Sequence, residues 1–453
     1  MTECNSEPIP FSSFGRRGVL ADFAGGSITS DAGALLLREV DRRLGLIDRL
    51  DAAIPDPRNQ ALITHQQKTM LRQRIFAIAM GYEDGNDHQS LRDDPLMQLI
   101  TERGIDPEHP LASPPTLCRL ENRVTRRTLA EVAKVLVETF IASHSSAPEE
   151  LVLDFDATDD PVHGHQANRF FHGYYDQYCF LPLYVFCGHH LLVSYLRPAN
   201  IDAATHSWAI LGLLVRRFRQ VWPGVKIVFR ADSGFCRWKM LRWCERHDVE
   251  YIVGLAKNKR LEPLAQQAMD RAAELFQQAG DGRPQRVFTE FLYAAGAWDK
   301  DRRVIAKAEY LGGDGHNDPK ENHRFIVTNL QGDGQVLYEQ LYCKRGDAEN
   351  RIKEQQMGLF ADRTSCHDFV ANQFRVMLSA AAYVLLQSLR QTALAGTELA
   401  EAQVTTLRLK LLKIGGLIKC SVRRIVLHLA SGCSSQQLFR LIARRLISLP
   451  NTA

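Results

Sequence analysis

Two hydrophobic periods divide the chain. Between residues 30 and 150, apolar positions recur at helical spacing, as in ALLLREVDRRLGLIDRL and THQQKTMLRQRIFAIAMGY. Residues three and four apart share a helix face, so this region is predicted to be mainly helical. A proline-rich break, HPLASPPT (109–116), precedes LCRLENRVTRRTLAEVAKVLVETFI, and Ser113 followed by Pro114 suits a helix start. Arg119, Arg123, Arg126 and Arg127 give that stretch a basic face. It reads either as a helix-turn-helix or as an ordinary helical pair.

From residue 151 the period shortens to two. LVLDFD predicts a strand, and YCFLPLYVFCGHHLLVSYLRP predicts two more, paired through a turn at Gly188. SWAILGLLVRRFRQVW then predicts an amphipathic helix, VKIVFRADSGF a strand, CRWKMLRWCERHD a helix and VEYIVGLA a strand. That succession is an α/β order. A charged stretch, 258–300, predicts a helix, followed by shorter strands such as RVIAKAEYL and HRFIVTNL and by the helix VLYEQLYCKRGDAENRIKEQ. The tail TLRLKLLKIGGLIKCSVRRIVLHL alternates around Gly415-Gly416 and predicts a basic β-hairpin, and SSQQLFRLIARRLISL a closing helix. No internal repeat or low-complexity block interrupts these elements.

At 453 residues the chain exceeds one ordinary core, so two or three packed units are expected. Its 45% hydrophobic and 24% charged residues are those of a soluble globular protein. The most apolar stretch, VMLSAAAYVLLQ (376–387), is too short to cross a bilayer and predicts a buried helix, so no membrane partner is expected. The opening residues lack a basic-then-apolar signal pattern, and ten scattered cysteines suit a reducing compartment, so a cytoplasmic location is expected. Cys236, Cys244 and His247, and separately Cys187, His189 and His190, could bind zinc. Neither set has CxxC or HxxxH spacing, and core thiols with surface histidines are the competing reading.

The net charge of +4 is mild, but its distribution is uneven. After Glu401 no Asp or Glu occurs, while Arg408, Lys410, Lys413, Lys419, Arg423, Arg424, Arg440, Arg444 and Arg445 do. Such a tail is an electrostatic footprint for a polyanion, with a merely solvated face as the alternative.

Acids stand out against this background. LVLDFDATDD (151–160) places Asp154, Asp156, Asp159 and Asp160 on and just after a half-buried strand. Burying carboxylates so close together is costly unless a cation compensates. On a strand Asp154 and Asp156 point to the same side, and Asp159 and Asp160, before Pro161, are expected in a turn. Asp232 ends an apolar strand in Asp-Ser-Gly, either as a ligand at the carboxyl end of a sheet or as a turn and helix-cap residue. In YCKRGDAENRIKEQ a regular helix sets Glu349 about 20° from Tyr342, Arg345 about 60° away, and Lys353 and Gln356 within about 40°. The bland reading of that face is a charged helix with pairs such as Glu349–Lys353. Two strand-end aspartates and one helix-borne glutamate are also what a two-metal phosphoryl-transfer site needs. Hard oxygens suit Mg²⁺ or Mn²⁺, and two ions about 4 Å apart serve the nucleophile and the leaving oxygen.

These residues resemble those of bacterial insertion-sequence DDE transposases with an RNase H-like core. The resemblance rests on Asp156-Ala157-Thr158, on Ala231-Asp232-Ser233-Gly234, and on the signature Tyr-x2-Arg-x3-Glu-x6-Lys, here Tyr342, Arg345 and Glu349. It covers roughly 151–390. The long gap between Asp232 and Glu349 resembles relatives whose core is interrupted by a β-rich insertion.

The resemblance implies an α/β fold with an RNase H-like mixed sheet. A helical N-terminal end-recognition region would occupy 1–150 and the first part of the core 151–257. The insertion would follow at 258–330, the glutamate helix with its successor at 331–390, and a basic hairpin-plus-helix region for DNA binding or dimerisation at 391–453. It implies that Asp156, Asp232 and Glu349 bind two Mg²⁺ or Mn²⁺ ions, and that the enzyme cleaves at terminal inverted repeats and joins the 3′ ends to target DNA, working as a homodimer. Tyr342 and Arg345 would contact phosphates near the element's end, with Lys353, Arg423 and Arg424 as further DNA contacts. Trp298 would stack on an extruded base, or else be an ordinary packing residue. One position departs from the signature: residue 356 is Gln, and Lys353, one turn earlier, would supply the charge. A metal-dependent nuclease without strand transfer, or a catalytically impaired DNA-binding relative, are the alternatives.

Overall fold

The computed structural model describes residues 7–312 and 320–448. The chain divides into two compact units. One comprises Leu136–Gln356 with Thr364–Met377, the other Met1–Val135, Met357–Arg363 and Leu378–Ala453.

The first unit is built on one eight-stranded sheet. Its strands are β1 (Glu150–Ala157), β2 (Leu183–Cys187), β3 (His190–Tyr195), β4 (Lys226–Ala231), β5 (Glu250–Leu255), β6 (Gln285–Tyr293), β7 (Arg302–Leu311) and β8 (Lys320–Thr328). They lie in the order β6-β7-β8-β5-β4-β1-β2-β3. β1, β2 and β3 form an antiparallel meander, while β4 and β5 run parallel to β1 on its other side. That strand order is an RNase H-like core. The three strands of the insertion are not a body apart: β8 pairs antiparallel with β5, so they widen the same sheet.

Strand parity decides what each face carries. Leu151, Leu153 and Phe155 of β1 and Ile227, Phe229 and Ala231 of β4 join one buried cluster. Leu211, Leu214 and Phe218 of helix α1 (Ser207–Val221) and Met240, Leu241 and Cys244 of helix α2 (Trp238–Arg246) complete it. Each such Leu, Ile, Phe or Met side chain stabilises the fold by about 1.5–3 kcal/mol relative to exposure. Val228, Ile252, Ile305, Ile326 and Tyr338 form a second cluster, against which Val152, Leu341 and Tyr342 pack. Because side chains alternate along a strand, Asp154, Asp156 and Arg230 project to this second side. Helix α3 (Gln266–Ala279) packs Ala268 and Met269 against Ala308 of β7.

The segment after β8 is helical but irregular. A wide π-type turn covers Leu337–Tyr342, a tight 3-10 turn Cys343–Arg345, a regular helix α4 Gly346–Lys353, and a second π-type turn Glu354–Gly358. The uniform rotation expected across Tyr342 to Gln356 therefore does not hold, because residues per turn change along the way.

The other unit is mainly helical, with Leu35–Leu44, Leu46–Ala53, Gln67–Met80, Pro95–Ile100 and Pro114–Asn122 among its helices. Gln67–Met80 is buried along almost its whole length, with Arg74 held by Glu121 at 2.8 Å. The basic hairpin exists, but its turn is not at Gly415-Gly416. Gly416–Cys420 pairs with Ile425–Leu429 around Ser421–Arg424, and Val404–Leu412 is helical. Gly416 is needed for close packing, since a Cβ there would lie 2.9 Å from the Ala32 methyl. The stretch 376–387 is a buried helix, as expected, but within a longer element. It belongs to a 26-residue helix, Phe369–Leu394, long and apolar enough by length and composition to cross a membrane. Of its most apolar window, 78% is buried inside the protein, as in a core helix.

Candidate active site

The parallel register of β1 and β4 pairs Asp154 with Arg230 and Phe155 with Ala231. Carried one residue further, it brings Asp232 beside Asp156 at the carboxyl ends of both strands. Asp232 leaves the sheet immediately: its Oδ1 accepts from the Gly234 amide at 2.9 Å and caps a short turn, Ser233–Phe235. The cap reading of this residue and its strand-end position are both realised.

Glu349 arrives from α4, and Arg345 joins it to the strand. The Arg345 guanidinium donates to Glu349 Oε1 at 2.6 Å and to Asp156 Oδ2 at 3.3 Å. The expected helix pair with Lys353 is thus replaced by one with Arg345, and Lys353 is exposed. Burial pushes the Asp156 carboxyl up to about 7, against the attraction of Arg345; Asp232 and Glu349 raise it further by repulsion. Three acids far apart in sequence thus share one electrostatic site.

Tyr342 packs into the same corner. Burial raises its phenol, opposed by Arg345 and reinforced by Asp232. Its hydroxyl fits only because residue 254 of β5 is glycine: a Cβ there would lie 2.6 Å from that oxygen and 2.8 Å from the Ser233 nitrogen.

Asp154, the neighbour that shares a strand face with Asp156, is engaged otherwise. It is 1% exposed and held in a two-pronged ion pair by Arg230, one contact at 2.7 Å. Arg230 also donates to the Leu341 carbonyl at 2.5 Å, tying β1 and β4 to the residue before Tyr342. Burial outweighs Arg230 and pushes the Asp154 carboxyl up. Arg230 escaped the sequence reading, although its position two before Asp232 was a usable signal.

The expected turn holds only in part. Asp159 accepts from the Gln177 side chain at 2.6 Å, but Asp160 is buried in a short strand, Asp160–Pro161, and accepts from Thr364 Oγ1 at 3.0 Å. Gln356, at the signature's lysine position, donates to the Asp159 carbonyl at 2.7 Å. Trp298 packs edge-on to Tyr293, with the Arg302 guanidinium 5.4 Å from its ring centre. Arg423 and Arg424 belong to the other unit and are exposed at its hairpin turn.

Neither cysteine–histidine set forms a metal site. Burial pushes the Cys187 and Cys236 thiols up to about 12, and His247 stacks on Trp243. Among the described residues no three His, Cys, Asp or Glu side chains stand close enough to hold a metal ion. At the acid site Arg345 lies between Asp156 and Glu349. The donors still fit a hard divalent ion, because they are carboxylates and the half-buried Asp156 is repelled by Asp232 and Glu349, which a cation would relieve.

The family model described as "Transposase DDE domain group 1" matches residues 11–451. The chain belongs to this family. Its core is accordingly that of a DDE transposase domain, a family that generally uses divalent metal ions. No curated protein matches the chain. Among solved structures, this DDE-domain protein matches the cryo-EM structure of a piggyBac transposase synaptic complex with hairpin DNA. Identity is 10% and the TM-score 0.43, over 93% of this chain and 83% of that one.

Proposed function

We propose that the protein is the transposase of a bacterial insertion sequence, acting by cut-and-paste transfer. It would cleave DNA at the element's terminal inverted repeats and join the freed 3′ ends to target DNA. The observation that carries this reading is the convergence of three acids, Asp156 and Glu349 bridged by Arg345 and Asp232 close enough to repel Asp156, in a chain of the DDE family. Asp156, Asp232 and Glu349 would hold two Mg²⁺ or Mn²⁺ ions, which when bound activate the attacking oxygen and stabilise the leaving one.

The protein's own residues do the rest. Asp156 sits on a rigid central strand, Asp232 is fixed by its own cap, and Glu349 is presented from a helix packed on the sheet. Arg345 neutralises two of the acids, and on DNA it would turn to the phosphate near the scissile bond, with Tyr342 beside it. Lys353 is exposed and would supply the cation that Gln356 lacks, since Gln356 is bonded to the Asp159 carbonyl. Double-stranded DNA is the partner, a homodimer the active assembly, and the cytoplasm the site of action.

The test is incubation with end DNA, a target plasmid and Mn²⁺. Joined product from the wild type, absent for Asp156→Asn, Asp232→Asn and Glu349→Gln, is the expected result. Metal-dependent cleavage without joined product would instead assign a nuclease, and no metal-dependent nicking at all would assign a catalytically impaired DNA-binding relative.

A further inference from the structure

The segment RFFHGYYDQY (169–178) is unusual for a solvent-facing surface. Its strands Phe170–His172 and Gln177–Phe180 form a hairpin whose cross-strand pair is Phe171 with Tyr178. Phe171 is 52% exposed, Tyr178 50% and Tyr174, at the tip, 84%. Phe171 and Tyr178 meet edge-on at 5.7 Å, and the Arg169 guanidinium lies 4.7 Å from the Tyr178 ring centre. The opposite side of the hairpin is anchored, with Cys179 fully buried and Tyr175 packed against its cluster. The exposed aromatics are therefore held in place from behind rather than left loose. Adjacent aromatic rings kept in water, with a guanidinium among them, mark an interaction surface.

The hairpin's position indicates what it meets. Gln177–Phe180 also pairs with Asp160–Pro161, the continuation of β1 just past Asp156, and Gln177 bonds the Asp159 carboxylate. Tyr175 feels the charges of Asp159, Asp156 and Asp232, which add to burial in raising its phenol. The surface is thus attached to the acid site itself. Between Val162 and Phe180 the charged side chains are Arg169 and Asp176, and Arg169 is the one that lies over an exposed ring. Rigid aromatic faces flanked by a cation bind unpaired nucleobases by stacking, without regard to sequence.

We propose that this hairpin is a stacking platform for unpaired nucleotides of a DNA strand whose phosphate lies at the acids. Phe171, Tyr174 and Tyr178 supply the ring faces and Arg169 the contact to the backbone. The inference rests on the reading of the site as a DNA strand-processing centre. It adds that the strand is locally single, and that the aromatics beside β1 hold it so.

The experiment compares two labelled DNAs of mixed sequence, a blunt duplex and the same duplex with a 3′ tail containing 2-aminopurine, by fluorescence anisotropy without divalent metal. The wild type is expected to favour the tailed DNA and to quench its 2-aminopurine. Tyr174→Ala, and Phe171→Ala with Tyr178→Ala, are each expected to weaken tailed binding by about tenfold and to lose the quench, leaving blunt-duplex binding unchanged. Tyr174→Phe and Tyr178→Phe should restore both, since the ring is kept and only the hydroxyl is removed. Circular dichroism melts confirm that the variants are folded, and the highly exposed Tyr174 guards against a hairpin that unravels. Unchanged tailed binding in the variants, an equal loss on blunt duplex, or no preference of the wild type for the tail would each overturn the proposal. Metal-dependent joining by the same wild-type preparation separates the two readings: joining with unaffected hairpin variants removes only the platform, whereas a wild type that neither joins nor binds DNA removes both.

Discussion

Two aspartates two residues apart on one strand stand in opposite surroundings because of their partners. Asp154 is enclosed with Arg230, and Asp156 stands in the repulsive field of Asp232 and Glu349. Removing one member of a buried ion pair leaves an uncompensated charge, so Asp154→Asn is expected to lower stability by about 3–5 kcal/mol in denaturant titrations. Cleavage per folded molecule should persist in that variant, while Asp156→Asn should fold and fail to cleave. The pH response of Asp156 follows from its raised pKa. A carboxyl near 7 when folded and near its ordinary value when unfolded binds its proton more tightly in the native state, so its contribution to stability declines as pH rises from about 4 to 7. Thermal melts in EDTA across that range should show this slope in the wild type and lose that part of it in Asp156→Asn. The sequence showed that Asp154 and Asp156 share a face, but not which one the second strand would claim. That depended on the register that sets Arg230 opposite Asp154.

At the scale of elements, the strands of the core were legible because the period-two pattern and β-branched runs are local properties. The glutamate segment was less so. Its acids and bases were identified, yet its pitch changes three times, and no side-chain pattern reports where a helix widens or tightens. The partner of Glu349 followed from that geometry and from the nearby Asp156. Gly254 shows how tightly segment and sheet meet. Gly254→Ala is expected to displace Tyr342 and the Asp232-Ser233 turn together, at a cost of about 1–3 kcal/mol as in other overpacked sites. A fall in melting temperature accompanied by loss of cleavage would fit; an unchanged melt with full cleavage would show that the corner has slack. The tail hairpin was recognised as an element but placed with its turn too early, because a Gly-Gly pair reads locally as a turn, whereas Gly416 is required there by close packing.

At the scale of the whole molecule, the basic tail divides by role. Arg408 is buried and donates to the carbonyls of Ile78 and Ala79, ending the Gln67–Met80 helix as cations at helix C-termini do. Lys413 pairs with Asp31 at 2.7 Å, and Arg445 donates to the carbonyls of Ala393 and Ala395. These three serve the fold. Arg423 and Arg424 are exposed, and on the proposed function they would contact DNA. Affinity for end DNA should therefore fall steeply with salt, and Arg423→Ala with Arg424→Ala should lower the slope of log affinity against log salt by about 0.9 for each phosphate no longer neutralised. Equal slopes in variant and wild type would assign the hairpin turn to solubility alone.

The amino-acid sequence by itself determined the elements of the core, the acids at its strand ends and the family resemblance, because periodicity and short motifs are written in consecutive residues. Tertiary structure alone decided that the insertion widens the sheet, that Arg230 claims Asp154, that Arg345 bridges Asp156 and Glu349, and that an aromatic hairpin stands beside them. Each of those depends on registers and contacts between residues distant in the chain, and hydrophobic pattern constrains which face a side chain takes but not which neighbour it meets there.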